Sequence, residues 1–141
     1  MTGREDQREN DLFFACSLLE YIGRKTRNHR RVVVNALGIE KIRHLLELAD
    51  IYHNENMDKL LDELVEKCHI QPGTFDNVAM CRYSLPSHFD IGKVYKRLIA
   101  AVAREKGIDF ADALVEVYNS WIADKLDAVS YTHLRAHETS L

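Results

Sequence analysis

Apolar residues recur at three- and four-residue spacing through most of the chain, and this period limits its fold more than any other feature. Leu12, Ala15, Leu19 and Ile22 show the spacing in the first segment. It places these side chains on one face of an α-helix, whereas a half-buried strand needs alternation at every second residue. Three consecutive valines at 32–34 would suit a strand, but the chain has no second run of that kind to pair with it. The sequence therefore predicts an all-α fold.

Candidate caps, turns and stops divide the chain into about six helices. Asn10 or Asp11 is expected to cap the first helix, and Gly38 to end the second. Four helices precede a joint that contains Pro72 and Gly73, and an antiparallel helical hairpin follows it. The predicted divisions, in chain order, are a frayed N-terminus (1–9), an N-terminal helical part (10–70), an irregular joint (71–86), a helical hairpin (87–127) and a tail (128–141).

The hairpin is predicted from two strong helical segments with a short connection. Ser87 followed by Asp90 forms a candidate capping box before the first helix. Gly107 is expected to end that helix, and Asp109 to cap the next. Ser87, His88 and Asp90 also supply the residue types of a catalytic triad. Capping already accounts for two of them, and a triad usually draws its members from separate segments. We therefore predict no catalytic residue.

The apolar stripes also predict which side chains form the core. Phe13 and Phe14 widen the first stripe, so we expect that helix to be buried on more than one side. In the hairpin, Val94 and Trp121 fall on the stripes together with other apolar residues.

Charge and hydropathy exclude several classes of function. The formal net charge of -3 argues against a general nucleic-acid binder, although a local basic patch is compatible with it. No apolar run is long enough to span a bilayer, and the charged first ten residues do not form a signal peptide. The cysteines Cys16, Cys68 and Cys81 are odd in number and form no CxxC. These features predict a cytoplasmic protein in a reducing setting, without membrane contact.

No cofactor and no metal is expected. Cys68, His69, Cys81 and His88 have the residue types of a zinc site but match none of the close-paired ligand spacings. Cys68 also falls on an apolar stripe, where a free thiol behaves as a small apolar side chain.

The tail over 129–139 has the sequence VSYTHLRAHET. Its His133 and His137 have the spacing of two zinc ligands on one helical face. The stretch resembles, residue for residue, the translation in one frame of a transposase-type sequencing adapter. The resemblance implies that 128–141 is a non-native tail, that the native frame breaks off near Asp127, and that the two histidines are not ligands.

Five basic residues lie close together in the segment GRKTRNHRR. One interpretation is an anion- or partner-binding site, for example for the phosphates of nucleic acid. The other is a solvated link whose cations suit the C-terminal end of the first helix. The candidates are Arg24, Lys25, Arg27, Arg30 and Arg31.

Three aromatic residues of the hairpin are candidates for a protein interface, namely Tyr95, Tyr118 and Trp121. Large aromatic side chains often form the centre of an interface, with arginines at its rim. The same residues fit the apolar stripes, so packing inside the domain is the alternative.

The N-terminal half resembles a known family. FFACSLLEY is followed by LLELADIYHNEN and LLDEL, and these segments span about residues 12–66. They resemble a family of very small, uncharacterised bacterial helical domains that are often encoded beside predicted toxin-like genes, including ADP-ribosyltransferase-like ones. The resemblance implies an accessory or antitoxin-type role without catalytic residues. This chain adds residues 75–127, which the family lacks. The matching positions are Phe13, Phe14, Cys16, Glu20, Tyr21, Tyr52 and His53.

Two functional hypotheses follow. The first is a small non-catalytic bacterial protein that acts by covering a surface of a protein partner. The second is a DNA-binding regulator that uses the basic cluster from Arg24 to Arg31. A helix-turn-helix with Gly38 in its turn would serve this second role. However, Glu40 and Glu47 stand where a recognition helix favours basic and amide side chains.

Overall fold

The computed structural model of the chain describes residues 3–52, 54–75 and 87–123. Within these ranges the chain forms helices and no strand, so the predicted all-α class is confirmed. Residues 121–123 form a further helical turn. The helices, in chain order, are α1 (Gly3–Thr26), α2 (Arg30–Glu47), α3 (Ala49–Tyr52), α4 (Met57–Lys67), α5 (His88–Lys106) and α6 (Phe110–Tyr118).

Helix α1 starts earlier than predicted. It begins at Gly3, so Asn10 and Asp11 lie inside the helix and the prediction of a frayed segment is wrong for residues 3–9. Gln7 Nε2 donates a hydrogen bond to Asp11 Oδ1 at 2.8 Å, one turn further along. The charged residues of this stretch are also good helix formers, which extends α1 without an apolar stripe.

The basic link predicted over residues 23–31 is much shorter in the structure. Helix α1 continues to Thr26 and α2 begins at Arg30, so only three residues separate the two helices. The backbone amide of Asn28 donates to the carbonyl oxygen of Gly23 at 3.0 Å and closes the end of α1. Most of the basic residues that the sequence placed in a loop therefore lie on helices.

Several predicted helix ends are confirmed. Gly38 has φ 78° and ψ 166° and interrupts α2, a conformation that side chains with a Cβ rarely adopt. Ser87 and Asp90 form the reciprocal capping box at the start of α5. Gly107 ends α5 with φ 67°, and Asp109 caps α6.

The second helix of the hairpin is shorter than predicted. Helix α6 ends at Tyr118, because the side chains of Asn119 and Ser120 form hydrogen bonds with carbonyl oxygens of its last turn. Such side chains offer the backbone an alternative to continued helix. The chain is helical again at 121–123, and residues 124–141 lie outside the described part.

One core spans both of the predicted helical parts. Helix α1 packs along α5 and beside α2, and α6 packs against α2 and α5. Helices α3 and α4 contact α1 from a further side. The predicted core residues Leu12, Leu19 and Ile22 are fully buried, as is Ile99 of the hairpin. Val94 was wrongly predicted to face this core, since its side chain is 45% exposed.

An ion pair between α1 and α2 lies inside the core. Arg30 donates from Nε and from one terminal nitrogen to the two carboxylate oxygens of Glu20, both at 2.8 Å. The two side chains are only 6% and 2% exposed. The guanidinium of Arg30 also lies 5.4 Å from the ring centre of Tyr95 on α5. Tyr95 stacks on Tyr118 of α6 at 4.2 Å, with the rings 8° from parallel. These contacts join all four central helices.

Removing one charge of this pair leaves the other inside the core without its counter-charge. We expect Glu20→Gln to lower the free energy of unfolding by about 3–5 kcal/mol, measured by urea unfolding followed by circular dichroism. Asp62 on α4 is exposed, and Asp62→Asn is the matched control, with an expected change within about 0.5 kcal/mol. Equal stabilities of the two variants would contradict a structural role for the pair.

Helices α1 and α5 approach each other closely where Gly92 faces Ser17. Both residues are buried. A Cβ atom on Gly92 would lie 2.5 Å from Ser17 Oγ and 2.9 Å from the Ser17 backbone nitrogen. The backbone contact leaves no room for a side chain, so the packing of these two helices requires glycine at this position.

This contact decides whether replacing Gly92 by alanine raises or lowers the free energy of unfolding. In an exposed helix interior, Gly→Ala stabilises by about 1 kcal/mol. Gly92→Ala is expected instead to lower the free energy of unfolding by about 1–3 kcal/mol, because the added methyl group forces α1 and α5 apart. Thermal unfolding measures the difference. A variant more stable than the wild-type chain would show that the helices do not meet at this residue.

Candidate functional site

The structure does not gather the five basic candidates on one surface. Arg30 is buried against Glu20, so its assignment as an anion- or partner-binding residue is wrong. Arg31 donates to the carbonyl oxygen of Ser120 at 2.9 Å and to that of Tyr118 at 3.4 Å. It therefore satisfies carbonyl groups at the C-terminal end of α6, a role suited to a cation.

The other three basic candidates lie at the C-terminal end of α1. Lys25 is exposed, with its ammonium group 5.5 Å from the ring centre of Tyr21. Arg27 is exposed and has a positive φ of 59°. Arg24 is half-buried near His88, whose pKa is lowered first by burial and then by the positive charge of Arg24. Of the predicted cluster, Lys25 and Arg27 are the exposed members, which is a small surface for binding a phosphate backbone.

Two of the three aromatic interface candidates are wrong. Tyr95 and Tyr118 are fully buried and stack on each other, so intramolecular packing is their role. Trp121 is 70% exposed and stays a candidate for partner contact.

The buried side chains around Tyr118 include the thiol of Cys16. Cys16 is fully buried, and burial raises the pKa of its thiol far above the ordinary 9.0, although the neighbouring Tyr118 hydroxyl opposes the shift. Burial likewise raises the pKa of Tyr118 well above 10.0. A thiol that stays neutral is a poor nucleophile. Cys16 therefore serves as a small buried side chain of the core.

These pKa shifts predict a loss of stability in alkali. In the unfolded chain the Cys16 thiol ionises near pH 9.0, whereas in the folded chain it stays neutral to a higher pH. Above about pH 9 the unfolded state therefore binds fewer protons than the folded state. The free energy of unfolding should then fall by about 1.4 kcal/mol per pH unit for each such group. Urea unfolding between about pH 9 and pH 11 measures the slope. Cys16→Ala should reduce it, and an unchanged slope would contradict the assignment.

An open groove of about 560 Å³ lies between the first half of α1, the segment leading into α4 and the start of α5. Half of its lining residues are apolar, and the others carry carboxylate, amide or hydroxyl groups. The apolar residues are Phe13, Phe14, Ala49, Met57 and Phe89, and the polar residues are Gln7, Asn10, Asp11, Ser17 and Glu55.

Phe89 is the most exposed aromatic ring of this groove and is held by its neighbours. Its side chain is 48% exposed, and its ring centre lies 6.3 Å from that of Phe13 and 4.2 Å from that of His88. His88 in turn contacts the ring of Tyr21 at 4.9 Å, and the Tyr21 hydroxyl donates to Asp58 of α4. A large apolar side chain that contacts neighbouring rings and is half-exposed beside a partly apolar groove is typical of a binding surface.

The sequence did not predict this groove. Phe13 and Phe14 were expected to be buried on a second face of α1, but both remain partly exposed. A usable signal was present: the stripe through Leu12, Cys16 and Leu19 is complete without them. The rings of Phe13 and Phe14 therefore indicated a second apolar face of α1, apart from the face that packs on the core.

A second open cavity, of about 350 Å³, carries charges that compensate one another. One terminal nitrogen of Arg43 lies 3.2 Å from a carboxylate oxygen of Asp109 and 3.4 Å from a carboxylate oxygen of Asp112. The Arg8 guanidinium lies 4.9 Å from the ring centre of Phe110. The backbone amide of Asp112, and then Arg43, hold the pKa of Asp109 below its ordinary value. The contacts of Arg43 join α2 to the start of α6 and give this arginine a structural role.

No group of three or more His, Cys, Asp or Glu side chains in the described ranges could hold a metal ion. No helix of the same ranges is long and apolar enough to cross a membrane. His53, Cys81, His133 and His137, which entered the sequence-based interpretations, lie outside the described residues.

Comparison of the chain with protein-family models, curated proteins and solved structures finds no match. The groove is therefore the candidate site on its geometry and chemistry alone.

Proposed function

We propose that this chain is a non-catalytic protein that binds an apolar helical segment of another protein in the groove beside Phe89. The observation that carries the proposal is the half-exposed Phe89 ring at the edge of a groove of about 560 Å³. Recognition of a helix in a groove depends on a row of apolar anchors that enter such a depression. Met57 adds an adaptable wall, because its unbranched side chain fills irregular gaps.

The walls of the groove suit a helix as occupant. Phe13 and Phe14 belong to α1, Ala49 to α3 and Phe89 to α5. The side chains of helices form ridges, and the ridges of an incoming helix pack between them at about 8–10 Å from the neighbouring axes. A fourth helix added at this place would be surrounded in the manner of a bundle.

The residues that carry the family resemblance support a binding role of the antitoxin or accessory type. Among them, Cys16 and Glu20 are buried, whereas Phe13 and Phe14 line the groove. The resemblance therefore makes a toxin-like enzyme the first class of partner to test. We propose a cytoplasmic location for this complex, since the free thiols of Cys16 and Cys68 suit a reducing compartment.

The alternative of a DNA-binding regulator receives less support from the side chains that it needs. Arg30 is in a buried ion pair, and Arg31 is engaged with carbonyl groups of the α6 end. A phosphate-binding surface would have to rely on Lys25 and Arg27, beside a chain of net charge -3.

Three single substitutions test the proposal with a co-expressed, purified partner. Phe89→Ser should weaken binding at least about tenfold in isothermal titration calorimetry, as expected when an aromatic anchor is truncated. Val94→Ser is the matched control, because Val94 lies on the same helix, is 45% exposed and does not line the groove. Its affinity should equal that of the wild-type chain.

Trp121→Ser discriminates between the two exposed aromatic surfaces. The proposal predicts an affinity within about twofold of wild type, because Trp121 lies outside the groove. Loss of binding with Trp121→Ser and retention with Phe89→Ser would contradict the proposal and assign the interface to the end of the hairpin. Circular dichroism spectra confirm that each variant is folded.

A further inference from the structure

We infer that the segment bound in this groove is a cationic amphipathic helix, an inference that rests on the proposed function. The groove is lined by two carboxylates, Asp11 and Glu55, and by no lysine or arginine among the described residues. The lining residues themselves thus carry acidic and no basic side chains, in a chain of formal net charge -3.

The two carboxylates stand on different walls. Asp11 is on α1, where it accepts a hydrogen bond from Gln7. Glu55 lies between α3 and α4. The apolar anchors of the groove, with Phe89 at the start of α5, complete the lining. A ligand that covers the apolar residues therefore brings its own polar flanks within reach of both carboxylates.

The carboxylate of Glu55 can change its cationic partner. Its intramolecular partner is Lys59, one turn along α4, at 3.8 Å and with an exposed side chain. Such surface pairs contribute about 0.2–1 kcal/mol and reform readily with another cation. A lysine or arginine of a bound helix can replace Lys59 without leaving a buried charge behind.

Complementary charge at the rim sets specificity and association rate, while the apolar centre supplies most of the affinity. An acidic segment would place its carboxylates against Asp11 and Glu55 and would be repelled. A helix with one apolar face and lysine or arginine at its flanks satisfies both parts of the groove. The geometry thus selects for basic partner segments and against acidic ones.

The test uses the full chain and two synthetic helical peptides of about 18 residues, five turns in length. Both have the same leucine face, and their polar faces carry either lysine or glutamate. Fluorescence anisotropy measures binding at low and high salt. The lysine peptide is expected to bind at least about tenfold more tightly than the glutamate peptide, with an advantage that shrinks at high salt.

Variants of the chain assign the binding to the groove. Phe89→Ser should weaken binding of the lysine peptide at least about tenfold. Glu55→Gln should weaken it about two- to fivefold, the effect of one exposed charge pair. Asp62→Asn removes a carboxylate from the adjoining helix α4, outside the groove, so the affinity of this variant should be unchanged.

The remaining outcomes separate this inference from the proposed function. Equal binding of both peptides, lost in Phe89→Ser, overturns the charge preference and keeps the groove as a helix-binding site. Lysine-peptide binding that survives Phe89→Ser, or no binding of either peptide, overturns both. Self-association in sedimentation that disappears in Phe89→Ser would assign the groove to a second copy of the chain and overturn the cationic partner.

Discussion

The ion pair between Glu20 and Arg30 is the contact on which the arrangement of the central helices depends. Two charges inside a core are costly unless they meet in good geometry, and here both hydrogen bonds are 2.8 Å long. Because Arg30 is the first residue of α2, the pair fixes how the chain leaves α1. The Arg30 guanidinium also lies beside the ring of Tyr95, which stacks on Tyr118. Helices α5 and α6 therefore pack at the same place as the ion pair. A shift of α1 along its axis would separate the two charges within the core.

The same contact determines which surfaces remain for function. It places Arg30 of the basic cluster inside the fold, beside the stacked tyrosines of the hairpin. Helix α1 contributes to two environments, because Cys16 and Glu20 face the core whereas Phe13 and Phe14 face the groove. The function that this arrangement supports is therefore carried by the side of α1 that the core leaves uncovered, together with Phe89.

Local signals in the sequence predicted the helix class and several helix ends, whereas contacts between distant segments could not be predicted. The cap at Ser87 and the stop at Gly107 depend on residues only a few positions apart, so they follow from the sequence. Arg30 and Arg31 belong to one basic run, and only the position of another helix makes one buried and the other a ligand of carbonyl groups. For Phe14, periodicity shows that it lies off the main stripe but not whether a neighbour covers it. The early start of α1 escaped prediction because a polar helix has no apolar period.

Amide NMR spectra of the isotopically labelled chain, recorded with and without the proposed protein partner, test the central claim most directly. The account predicts that the largest shift changes occur at Phe13, Phe14, Met57 and Phe89, which line the groove on three separate elements. Changes confined to the turn at Arg27, or to the residues around Trp121, would contradict it and assign the partner to a different surface.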